Sequence, residues 1–178
     1  MQTTAVTGET GRSALERVGA AGDIDPHLAP FFEVWLDTFL FHGRLDPRLR
    51  ELAILRVMWR CGQAFEWGNH YRIARNVGIT KDDVLAIRTA NPERDLEGPV
   101  ALVVRAADEV VDAGCMSEET MAALPALFPR QLLSEFLFLV AGYRMFATVS
   151  ASRREERTGS HEPWPPDGIA PKAPRAGR

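Results

Sequence analysis

Apolar residues along the middle of the chain recur three and four apart, the spacing of one helix face, and nowhere alternate as a half-buried strand would. Pro30 opens a segment, FFEVWLDTFLF, that Gly43 closes. Asp46 followed by Pro47 is a cap residue before a proline at the first helical position. It predicts a helix with Leu49, Leu52, Ile54, Leu55 and Met58 facing inward, Arg48 and Arg50 facing outward, and a stop near Cys61–Gly62. A second helix carries EWGNHYRIARNVG, with Gly78 suited to its end, and Thr80 with Asp83 caps a short one after it. Residues 91–98 read as loop, PVALVVRAADEVVDAG as an amphipathic helix ending at Gly114, and SEETMAALPALF as a helix that Pro129 terminates. The last segment, RQLLSEFLFLVAGYRMFATVSAS, is apolar on most faces, which places it in the core or at a subunit interface. The fold class is all-α.

The ends differ from this middle. Residues 1–24 read as a flexible, Thr/Gly-rich arm, 25–152 as the helical domain, and 153–178 as an extended Pro-rich tail. Trp164 between prolines could anchor that tail, but the composition favours a solvated terminus. A length of 178 residues suits one domain that can bury a core without disulfides. The net charge of −3 makes no bulk electrostatic claim on nucleic acid or an anionic membrane. The longest uninterrupted apolar run, Phe136 to Gly142, is far short of a spanning helix, and the first residues lack the pattern of a secretion signal. A cytoplasmic setting with reduced Cys61 and Cys115 is therefore expected. The four histidines show no metal-ligand spacing, and there is no glycine-rich phosphate loop.

Candidate chemistry concentrates in CGQAFEWGNHYRIAR. Glu66 and His70 stand one helical turn apart and point the same way. A carboxylate beside an imidazole fixes its tautomer, and such a pair moves protons at neutral pH without a metal. The same spacing occurs on many solvated helices, so alone it is weak. Trp59, Phe65, Trp67 and Tyr71 are candidate pocket walls, although core packing is the better reading for Trp59. Arg56, Arg60 and Arg72 could pair with a substrate carboxylate or simply lie on solvated faces.

The stretch LDPRLRELAILRVMWRCGQAFEWGNHYRIARNVGITKDDV resembles the carboxymuconolactone decarboxylase family, which includes the alkylhydroperoxidase AhpD. QLLSEFLFLVAGYRMFATV is similar to the closing helix of the same family, and the resemblance covers about residues 25–152. It implies a compact helical bundle assembled as a trimer or hexamer, with sites near subunit contacts. The peroxidase branch uses a glutamate, a CxxC pair and a histidine. On this chain those positions are Glu51, Gln63, Glu66 and His70, so the dithiol is missing. Cys61, two residues earlier, reads as a small buried residue. The decarboxylase branch has Glu and His where this chain has Glu66 and His70, and works without a cofactor.

The resemblance therefore implies Glu66 and His70 as catalytic residues, His70 moving the proton and Glu66 orienting it. Glu51, Arg56, Arg60, Gln63, Trp67 and Tyr71 are the candidate substrate-binding residues, with Arg56 or Arg60 as the carboxylate clamp. Glu51 reads either as a partner behind the site or as an exposed helix charge. Gly142 stands where related sequences carry a histidine, so the substrate need not be the lactone that names the family. The expected function is a cofactor-free lyase or isomerase on a small carboxylated lactone or unsaturated acid, without metal, nucleic acid or membrane partner. The alternatives are a non-catalytic helical oligomer that binds a small molecule, and a peroxidase-type protein working through Cys61 alone or with Cys115.

Overall fold

Asp46 turns the chain into its central helix. Its carboxylate accepts the Leu49 N–H at 2.9 Å, Pro47 takes the first helical position, and helix runs from Pro47 to Cys61. Gly62 ends it in the left-handed region at φ 68°, which a side chain would strain. The computed structural model describes residue 14 and residues 24–89, 91–153 and 164–172. Every regular element among them is helical. The chain divides into two compact units, residues 1–44 and 45–178.

In the first unit, α1 (Ala29–Leu36) passes into a π-helical turn, Asp37–Phe41, closed by the His42 N–H on the Asp37 carbonyl at 2.8 Å. Trp35 and Phe39 pack with their rings tilted, 4.2 Å between centres. Of the arm expected over residues 1–24, only Ala14 and Ile24 are described. Ala14 is buried, and its N–H bonds to the Glu33 carboxylate at 2.6 Å.

The second unit is built around α2 (Pro47–Cys61), which packs on α3 (Ala64–Asn76), α6 (Gly98–Ala113) and α8 (Arg130–Arg153). Its residues 50–58 are buried without a break, so it has no solvent face over that stretch. Arg50, expected outside, is inside because Glu51 pairs with it. Between these lie α4 (Lys81–Ala86), one helical turn α5 (Pro92–Asp95) where the sequence reads as loop, and α7 (Glu118–Ala123) with a 3-10 turn, Leu124–Ala126. Thr80 and Asp83 form a reciprocal capping box, and Arg48 grips Asp83 with two nitrogens at 2.7 and 3.1 Å. That grip ties the start of α2 to α4.

Helix α8 is long and apolar enough to cross a membrane by length and composition, a test that counting uninterrupted apolar runs does not capture. About one third of that apolar stretch is buried, on the side that packs on α2 and α6. Residues 164–172 are seated through Trp164, while residues 167–170 stay exposed. Trp164 is buried between Trp59 and Trp67, at 5.6 and 6.0 Å between ring centres, and Arg88 pairs with Asp167 at 2.8 Å.

Candidate functional site

His70 stands on the inner face of α3, 3% exposed, where the helix faces α2. Its Nδ1 lies 2.7 Å from Oε2 of Glu51, which is fully buried. The other Glu51 oxygen accepts from Nε of Arg50 at 2.9 Å. An ionised carboxylate can only accept, so Nδ1 carries the imidazole proton and, in the neutral ring, Nε2 carries the lone pair. Nε2 is not engaged by any hydrogen bond among the described residues. The ring of Tyr143, from α8, meets His70 edge-on at 4.9 Å between centres. Burial, and then the negative charges of Glu51 and Glu66, hold the Tyr143 hydroxyl well above its ordinary range, so it stays a neutral phenol.

The carboxylate that orients His70 is therefore Glu51 and not Glu66. The exchange has a geometric cause: Glu51 reaches the ring directly across the α2–α3 contact. Glu66, a turn before His70 and half-buried, has no hydrogen-bond or ion-pair partner among the described residues. Its charge is nevertheless felt at Tyr143, which keeps it in the same neighbourhood. The site thus combines an oriented imidazole, an unengaged carboxylate and a neutral phenol. Tyr143 and Arg50 were missed as site residues; the Tyr143–Arg144 pair is visible in the last helix, but no spacing rule links it to His70.

The other candidate residues fall elsewhere. Arg56 is 1% exposed and fully engaged: Asp108 takes Nε and Nη2 at 2.6 and 2.7 Å, and the carbonyls of Ile87 and Thr89 take Nη1. It is a structural ion pair rather than a carboxylate clamp, because four of its five N–H donors are already committed within the protein. Arg60 bonds Asp108 at 2.8 Å and Asp112 at 2.6 Å at the edge of an open cleft. Trp67 gives its indole N–H to the Pro165 carbonyl at 2.8 Å and packs with Trp59 and Trp164, so it walls the tail segment and not the histidine. Gln63 occupies the turn before α3 and reaches the Cys61 carbonyl at 3.4 Å. Tyr71 is half-buried and Arg72 exposed, where it bonds Asn69 at 3.3 Å. Cys61 is half-buried and lines the same cleft as Arg60, instead of filling core. Burial pushes its thiol up despite the nearby Arg144 and Arg60, which favours the thiol over the thiolate.

Residues 26–109, from before α1 into α6, match the family model of the carboxymuconolactone decarboxylase family. This segment belongs to that family. No curated protein and no solved structure matches the chain. The family segment contains Glu51, Glu66 and His70, while Tyr143, which completes the surroundings of the imidazole, comes from beyond it.

Proposed function

We propose that the chain is a cofactor-independent acid–base enzyme of the carboxymuconolactone decarboxylase family, with His70 as its proton-transfer group. The observation that carries this reading is the buried Glu51–His70 pair, which fixes one ring nitrogen and leaves Nε2 unengaged. The substrate class is a small carboxylated lactone or related unsaturated acid. In decarboxylation the bond to the carboxylate carbon breaks and its electron pair passes into the conjugated unsaturation. A proton is then delivered to the distant carbon, and CO₂ leaves. Isomerisation uses the same route without loss of carbon: Nε2 takes a proton at one carbon and returns it at the far end of the shifted double bond. Glu66, without a partner, is the second acid–base group, and the neutral Tyr143 phenol supplies a hydrogen bond without competing for the proton.

The test is mass spectrometry of carboxylated lactones and β,γ-unsaturated acids incubated in D₂O with wild type, His70→Gln and Glu66→Gln. Wild type should release CO₂ or incorporate deuterium, and His70→Gln should be slower by about 10²-fold or more. Undiminished turnover by His70→Gln, or no reaction of wild type with any member of the panel, refutes the reading. The chain is also proposed to assemble with copies of itself. Phe138, Met145 and Val149 make one exposed apolar stripe along α8, at 64%, 41% and 45% exposure.

A further inference from the structure

Beside α2, α6, α8 and the 164–172 segment lies an open cleft of about 1100 Å³. Glu51, His70 and Tyr143 are not among its lining residues. Among the described residues, five cationic side chains line it, against one carboxylate, Asp112. Three of the five are already engaged: Arg56 by Asp108, Arg60 by Asp108 and Asp112, and Arg88 by Asp167 and the Pro165 carbonyl. Two are not balanced. Among the described residues, Arg144 bonds only the Thr148 hydroxyl, and Lys172 has no acidic partner. Excess positive charge against low-dielectric walls focuses the field inside a concavity. That field already reaches into the cleft, since Arg144 favours the thiolate of Cys61 even though burial outweighs it.

The rest of the cleft is built for an organic body more than for a bare ion. Trp59, Val111, Ala147 and Ile169 supply apolar wall, and Ile169 stands 61% exposed on the tail segment. At the lining, the buried hydroxyl oxygen of Thr89 has no hydrogen-bond partner, which is costly unless a ligand or water supplies one. The last turn of α8, near Ser152, presents the negative end of its helix, so an anion belongs toward Arg144, two turns earlier.

We propose that this cleft is a binding site for an organic carboxylate: Arg144 pairs with the charged group, Lys172 adds to the field, and the apolar body lies along Trp59 and Ile169. The inference stands apart from the acid–base reading, because it uses none of that site's residues.

The experiment is isothermal titration of the full chain with 2-naphthoate, with its neutral analogue 2-naphthol, and with inorganic phosphate as competitor. Naphthoate should bind at least about tenfold more tightly than naphthol, the order of one hydrogen bond to a charged group. Arg144→Gln should remove that preference, and Lys172→Gln should reduce it, both with unchanged circular dichroism. His70→Gln should leave the affinity where it was, which separates this site from the histidine. Equal affinities for naphthoate and naphthol, full binding to both charge variants, or displacement by millimolar phosphate would overturn the proposal. So would the absence of any naphthoate binding.

Discussion

Replacing Glu51 by glutamine tests which carboxylate serves the imidazole, and needs no substrate. Glu51 receives two donors at once, Nδ1 of His70 at 2.7 Å and Nε of Arg50 at 2.9 Å. Glutamine has the same shape but one acceptor oxygen, so one of those donors must face its NH₂ group. The substitution also removes the charge that strengthened both bonds. Hydrogen bonds to charged groups are worth about 1.5–3 kcal/mol each, so losing one and weakening the other should cost about 3 kcal/mol. Glu66, without a bonded partner and half-buried, should cost less than about 0.5 kcal/mol on the same change. Urea unfolding of wild type, Glu51→Gln and Glu66→Gln at pH 7 measures both, with the midpoint read at constant slope. Imidazole nitrogen NMR supplies a second readout: wild type should show His70 protonated at Nδ1, and Glu51→Gln a mixture of tautomers. If Glu66→Gln destabilises as much as Glu51→Gln, or alone disturbs the tautomer, the assignment of Glu51 as the orienting carboxylate is wrong.

Two further outcomes follow from the ion pairs. Arg56→Lys should cost about 3 kcal/mol, because one ammonium cannot span both Asp108 oxygens and two carbonyls in a buried site, whereas Arg60→Lys at the cleft edge should cost under about 1 kcal/mol. Thermal unfolding of the two variants separates them, and equal losses would refute the reading of Arg56 as a saturated buried pair. Asp83 is held below the usual carboxylate range, first by its hydrogen bond from Arg48 and further by its bonds with Thr80. Its contribution is therefore present above the unfolded carboxylate's pKa and lost as pH falls. The gap between wild type and Asp83→Asn should be about 1 kcal/mol at pH 7 and shrink below about pH 4, as denaturant titrations at both pH values would report.

Much of the helical order was legible because its punctuation is local. Asp46–Pro47, Gly62, Thr80 with Asp83, and Gly114 each act within one turn, and each marks the boundary where it was read. The site was legible in membership and misread in pairing. Spacing along one helix reports neighbours on that helix, so Glu66 looked like the partner of His70, while the real contact crosses to a residue 19 positions away. Arg56 misled for the same reason, since the acid that saturates it is 52 positions on. Trp164 was visible as a possible anchor, but its setting argued against it. Prolines around it read as unfolded chain, and composition cannot show that Trp59, Trp67 and Arg88 wait for it.

That seat has an optical consequence. Three of the four tryptophans, Trp59, Trp67 and Trp164, share one cluster, and the indole N–H of Trp67 is spent on a carbonyl of the seated segment. The fourth, Trp35, belongs to the first unit and packs against Phe39. Lifting residues 164–172 away would bring water to all three clustered indoles together while Trp35 emits as a constant background. The chain therefore carries an intrinsic gauge of whether its C-terminal segment is seated, readable as emission wavelength and near-ultraviolet dichroism without any label.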